Sequence, residues 1–160
     1  MYTRPRDNIV NALKTTPILH YPPTQTQAAT SFDVACRRCA RLADFLGAVQ
    51  ENNTDYWCKP VPPFGAAKAT LLLVGLAPGM HGANRTGRPF TGDHAGVLLY
   101  DTLYQYGFAS KPTSMSADDG LRLINCRITN AVKCLPPENK PTPAEIKTCN
   151  AYLRVELATQ

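Results

Sequence analysis

Thr70 to Leu99 is the stretch that most restricts what this chain can fold into. It opens with an apolar run, Leu71-Leu72-Leu73-Val74, and turns at Gly75-Leu76-Ala77-Pro78-Gly79. Fifteen residues rich in Gly, Asn, Arg and Thr follow, and a second apolar run starts at Ala95. This order reads as buried strand, long shaped loop and helix. Open α/β sheets hold their ligands at such a place, where a polar loop leaves the carboxyl end of a buried strand. Glycines at 75, 79, 82, 87 and 92 allow close backbone approach or positive φ. The alternative is a surface loop with ordinary turn chemistry, but long loops in compact domains are mostly functional or disordered.

The 160 residues suffice for one domain with its own core. With 44% hydrophobic and 18% charged residues the composition is globular. A net charge of +5 favours a polyanionic partner only weakly. No apolar run is long enough to span a membrane, and the N-terminus has no apolar signal core, so a cytoplasmic protein is expected. In that setting six cysteines point to metal or free thiols before disulfides.

Residues 1–30, rich in Pro, Thr and Gln, read as an N-terminal extension to a domain over 31–160. The extension's apolar patch is Ile18-Leu19-His20-Tyr21, and His20 reads as a surface residue. After Cys36-Arg37-Arg38-Cys39, the spacing of Leu42, Phe45 and Leu46 predicts a helix. Arg37, Arg38 and Arg41 fit phosphate contacts and a solvated basic face equally well. Residues 56–65 read as an ordered Pro- and aromatic-rich loop, with Cys58 unpaired. A helix is expected from Asp93 to Gly107, with Asp93 as its cap and Gly107 as its stop. Leu121 to Asn130 reads as a second strand, with Ile124, Cys126 and Ile128 on one face. A helical crossover between the two strands makes them parallel and brings the ends after Val74 and Ile128 to one edge. Thr142-Pro143-Ala144-Glu145 forms a capping box for a last helix that carries Cys149.

Cys36, Cys39, Cys134 and Cys149 form a candidate tetrad, spaced C-x2-C and C-x14-C. Four thiolates suit a [4Fe–4S] cluster or a zinc ion, and the wide second spacing favours the cluster over a zinc knuckle. Four unrelated thiols are the plain alternative.

Gly75-Leu76-Ala77-Pro78, with Gly82-Ala83-Asn84-Arg85-Thr86-Gly87-Arg88-Pro89-Phe90-Thr91-Gly92-Asp93, resembles the first motif of the B-type (family 5) uracil-DNA glycosylases. Thr129-Asn130-Ala131-Val132-Lys133-Cys134-Leu135-Pro136-Pro137 and Asn139-Lys140-Pro141-Thr142-Pro143 resemble the segment after that family's next strand. The tetrad matches its iron–sulfur ligands. Leu76 stands where the sister family 4 has Glu. The resemblance implies an α/β fold with a parallel sheet in a three-layer αβα arrangement, incomplete at the C-terminus. It implies a monomeric base-excision repair enzyme that flips uracil out of single- or double-stranded DNA and hydrolyses its N-glycosidic bond. Other deaminated bases such as hypoxanthine fit the same implication.

On this resemblance Phe90 stacks on the extruded base, and Asn130, an amide with donor and acceptor, reads its polar edge. Backbone N–H groups around Ala77 and Gly79 would receive the base's carbonyl oxygen. Leu76 and Ala77 cannot supply the acid or amide that related families carry there. Asp93 is therefore the candidate for water activation, with helix capping as its competing role, and His81 is a second candidate. Arg85, Arg88 and Lys133 are candidates for phosphate contacts. The family's His-Pro-Ser motif does not occur in these 160 residues. The expectation is an N-terminal fragment that holds the cluster and half the pocket, with little or no activity alone. A non-catalytic iron–sulfur nucleic-acid-binding module and a zinc-stabilised binding domain compete with the enzyme reading.

Overall fold

The computed structural model describes residues 32–159. The N-terminal extension with His20 lies outside the described residues. Helix α1 (Ala40–Asn52) starts directly after the C-x-x-C pair, with Cys39 at its cap position. Strand β1 (Phe64–Gly65) and strand β2 (Leu71–Gly75) follow. The long loop contains a single helical turn, α2 (Ala83–Thr86), and leads into α3 (His94–Gln105). Strand β3 (Cys126–Asn130) and α4 (Pro143–Ala158) complete the order.

Strands β2 and β3 pair in parallel, with Leu73 opposite Ile128 and Gly75 opposite Asn130. Their carboxyl ends therefore share one edge, as the crossover predicts. Two details differ from the sequence reading. β1 pairs antiparallel with the far side of β3, so the sheet has order β1-β3-β2 and is mixed, not purely parallel. A strand of two residues is too short to show an alternating pattern. β3 also begins at Cys126, not Leu121. Asn125 takes a left-handed conformation (φ 53°), which breaks the extended run. Ile124 is consequently 52% exposed, while Cys126 and Ile128 are fully buried.

Alternation along β3 builds the layers. Cys126 and Ile128 face α3, where Tyr100 and Leu103 close a core with Leu71, Leu73 and Phe90. Arg127 and Thr129 point the other way, towards Glu156 of α4. Glu156 Oε1 accepts from Thr129 Oγ1 at 3.0 Å and lies 2.5 Å from Lys133 Nζ, which also donates to Thr129. Helices thus cover both faces, in the αβα order expected. Around this sheet, Leu42 of α1 packs with Val132 and Tyr152, and Leu46 and Val49 pack with Cys58 and Leu135. Arg41 joins α1 to α4 by two 2.8 Å hydrogen bonds to Glu145, the residue that completes the capping box with Thr142.

Candidate active site

The site forms where β2 and β3 end side by side. Gly75 and Asn130 are register partners, so the Asn130 side chain rises next to a residue without one. A Cβ added to Gly75 would run into Asn130 Oδ1 and lie 2.8 Å from Phe90 Cζ. The ring and the carboxamide, forty residues apart in sequence, therefore meet over one backbone position. Asn130 is 4% exposed, and among the described residues no hydrogen bond engages its amide. Its amide is therefore left to solvent or to a ligand, since it is not among the sealed, unpartnered polar atoms of the interior.

Phe90 reaches this place through a constrained turn. Its φ is 54°, a region that bulky L-residues rarely occupy and that costs on the order of 1–3 kcal/mol. The turn is held from outside. Tyr100 of α3 donates to the Pro89 carbonyl at 2.7 Å, and Thr91 shares a 2.6 Å hydrogen bond with Ser114. Arg88 gives Nη1 to Asp119 at 2.8 Å and to Ser114 at 3.0 Å, and Nη2 to the Ala117 carbonyl. Burial works against ionisation of Asp119, but hydrogen bonds from Arg88 and from the Leu121 and Met115 N–H groups hold its carboxyl well below the usual range. Residues 114–119 thus anchor the turn that carries Phe90.

The backbone before the turn is fixed as well. The Gly75 and Leu76 carbonyls accept from the N–H groups of Ala131 and Val132 at 2.8 and 2.9 Å. Among the described residues the N–H groups of Ala77 and Gly79 donate to no protein acceptor. Asp93 caps α3 through Oδ1, which accepts from Gly96 N–H at 2.8 Å. Its Oδ2 takes no such bond and lies against Gly82, where an added Cβ would come within 2.5 Å of it. Capping thus leaves one carboxylate oxygen free. His81 is exposed and shares a 2.8 Å hydrogen bond between Nδ1 and the Tyr56 hydroxyl.

The basic candidates separate. Arg85 is exposed, with Nε on the His81 carbonyl at 2.7 Å. Arg88 and Lys133 are 4% and 1% exposed, and their donors are spent on Asp119 and Glu156. A phosphate contact from either is excluded, because both cations are paired inside the protein. Burial lowers the pKa of Lys133, while the Glu156 carboxylate opposes the shift. Arg37 is exposed, and Arg38 lies 5.4 Å from the Tyr152 ring centre.

All six cysteines are free thiols. Cys36, Cys39, Cys134 and Cys149 line one cavity, walled by Leu42, Pro60 and Tyr152. Lys133 N–H donates to Cys149 Sγ at 3.3 Å. Burial, then the charges of Cys149, Cys36 and Cys39, push the Cys134 thiol up to about 12. Burial likewise raises Cys39 and Cys149. Four thiolates share this space only with a cation among them. Among the described residues no three His, Cys, Asp or Glu side chains approach closely enough for a single metal ion. Cys126 is buried in the core, and Cys58 accepts from Asn84 Nδ2 at 3.5 Å.

Residues 62–160 match the family model described as the uracil DNA glycosylase superfamily. This chain belongs to the uracil-DNA glycosylase superfamily. It is 50% identical over 128 residues to the type-5 uracil-DNA glycosylase of Thermus thermophilus, covering 77% of this chain and 58% of that protein. The type-5 uracil-DNA glycosylase of Pyrobaculum aerophilum is 45% identical over 128 residues, 78% of this chain and 57% of the relative. A type-4 uracil-DNA glycosylase of Archaeoglobus fulgidus is 36% identical over 121 residues, 75% and 47%. The superfamily assignment and the type-5 names agree with the resemblance read from the first motif. The chain spans about half the length of these curated relatives.

Proposed function

We propose that the strand-end site binds a uracil nucleotide turned out of DNA and serves hydrolysis of its N-glycosidic bond. The meeting of the Phe90 ring and the unpartnered Asn130 amide over Gly75 carries this reading. A flat ring offers a stacking face to a pyrimidine, and a carboxamide offers one donor and one acceptor to its edge. The free N–H groups of Ala77 and Gly79 suit a base carbonyl that gains negative charge as the bond breaks. In hydrolysis the C1′–N1 bond breaks with its electron pair on the base, and a water oxygen bonds to C1′. The free Oδ2 of Asp93 is the group to orient that water and take its proton, while Oδ1 remains on the helix cap. The names of the type-5 relatives support uracil as the base, and hypoxanthine falls within the same chemistry.

Cys36, Cys39, Cys134 and Cys149, which line one cavity, are the residues that would hold a [4Fe–4S] cluster. When bound, the cluster would cross-link the start of α1 to the 134–149 segment, a structural service.

The deciding experiment compares labelled oligonucleotides carrying one uracil or one thymine. Tighter binding to the uracil strand by about tenfold or more, lost in Asn130→Ala, is the expected result; tenfold corresponds to about 1.4 kcal/mol, the scale of one good hydrogen bond. Equal affinity for both strands would leave only the non-catalytic binding module.

A further inference from the structure

Beside the strand-end site lies an open groove that the sequence reading treated as loop. Trp57 forms its floor, with Tyr56, Lys59, Arg85 and Thr86 around it. Lys59 Nζ stands 5.6 Å from the Trp57 ring centre. The backbone fixes the pairing of the two segments, since Trp57 N–H donates to the Arg85 carbonyl and Cys58 N–H to the Asn84 carbonyl, at 3.0 and 3.1 Å. The indole N–H is engaged with the Pro60 carbonyl at 3.2 Å, which sets the ring's orientation.

We infer that this groove holds the DNA strand next to the extruded nucleotide, with phosphates on Lys59 and Arg85 and a sugar or base against Trp57. The inference rests on the glycosylase reading and adds a binding surface to it.

Three observations converge. First, Arg41, Arg88, Arg127 and Lys133 are paired with carboxylates, but among the described residues neither Lys59 nor Arg85 enters an ion pair. Second, the groove is continuous with the proposed reaction site. A Cβ on Gly92 would lie 2.5 Å from Arg85 Nη2, and Gly92 directly precedes Asp93. A strand following the groove past Arg85 therefore arrives at the carboxylate. Third, two exposed cations beside a half-buried aromatic ring suit a single strand, since phosphates take the charge and any base offers a π-face. Asp55 also lines the groove and is its one acidic member. It reduces the local charge but leaves a net positive site.

Trp57 is the only tryptophan in the sequence, so its emission reports on this groove alone. The 160-residue chain is titrated with a uracil-free single-stranded oligonucleotide while tryptophan emission and the anisotropy of a labelled strand are followed. Emission should be quenched in step with binding. Lys59→Gln and Arg85→Gln should each weaken binding several-fold at low salt. Each should also reduce the slope of log affinity against log salt by roughly 0.7, the value for one phosphate on a single strand. Lys147→Gln, an exposed position on α4 outside the groove, should change neither. Saturable binding with unchanged emission, or wild-type salt slopes in both groove variants, overturns the groove but leaves the uracil site standing. Quenching by the uracil-free strand, together with equal affinity in the uracil–thymine comparison, would retain the groove and remove the glycosylase reading. Absence of DNA binding removes both.

Discussion

At the scale of single residues, the site depends on an atom that is not there. Gly75 leaves its Cβ position to the Asn130 amide and the Phe90 ring. Gly75→Ala should place a methyl group in that space at an overpacking cost of about 1–3 kcal/mol. The preference for uracil over thymine should fall to near unity, while circular dichroism still shows a folded chain. A folded Gly75→Ala protein with wild-type preference would remove the slot from recognition. The sequence made Phe90, Asn130 and Asp93 visible as candidates through the motif, and the pairing of strand ends brings two of them together. It gave no sign that Arg88 and Lys133 are internal. A positive charge in a polar loop looks the same whether it faces phosphate or a carboxylate across the fold. Their partners, Asp119 and Glu156, lie 31 and 23 residues away, beyond any local pattern.

At the scale of elements, periodicity located α1, α3 and α4, because each has a capping or apolar signal within a turn or two. It missed β1, which has two residues, and it overextended β3, because a left-handed Asn125 is not encoded by hydrophobic alternation. The contact between α1 and α4 yields a pH effect. Hydrogen bonds from Arg41, outweighing burial, hold Glu145 down at about 2, against an ordinary value of 4.5. A carboxyl depressed on folding stabilises the fold above its ordinary value, and that contribution vanishes as pH falls through the folded value. Glu145→Gln should therefore have a lower Tm than the parent protein at pH 6, and the two curves should converge between about 4.5 and about 2. A Tm gap that stays constant across this window would mean that the Arg41 pair adds nothing to stability.

At the scale of the whole molecule, the cysteine cavity joins segments that lie far apart in the chain. Cys39 and Cys134 are separated by 95 positions. A cross-link closing a loop of that size is worth about 4–5 kcal/mol on the chain-entropy account. Loading the chain anaerobically with iron and sulfide should give a brown protein. Removing the iron, or making Cys134→Ala, should lower Tm by roughly 10 °C, at about 2–4 °C per kcal/mol for a domain of this size. A colourless chain after loading, or a Tm that does not respond, would rule out the cluster as the clip. That the four cysteines come together was legible in their spacing, whereas the cavity walls come from α1 and α4 together and have no local signature.

The run from Asn130 to Cys134 meets the Phe90–Asn130 slot at one end and the thiol cavity at the other. Between them Val132 is locked in the core, and Lys133 is clasped by Glu156. Cys134 lies only four positions beyond Asn130, along a segment bent after the strand ends there and held by the Ala131 and Val132 N–H bonds to the Gly75 and Leu76 carbonyls. A change at Cys134 would accordingly be transmitted to the Asn130 amide, so the two sites are mechanically linked through one short segment.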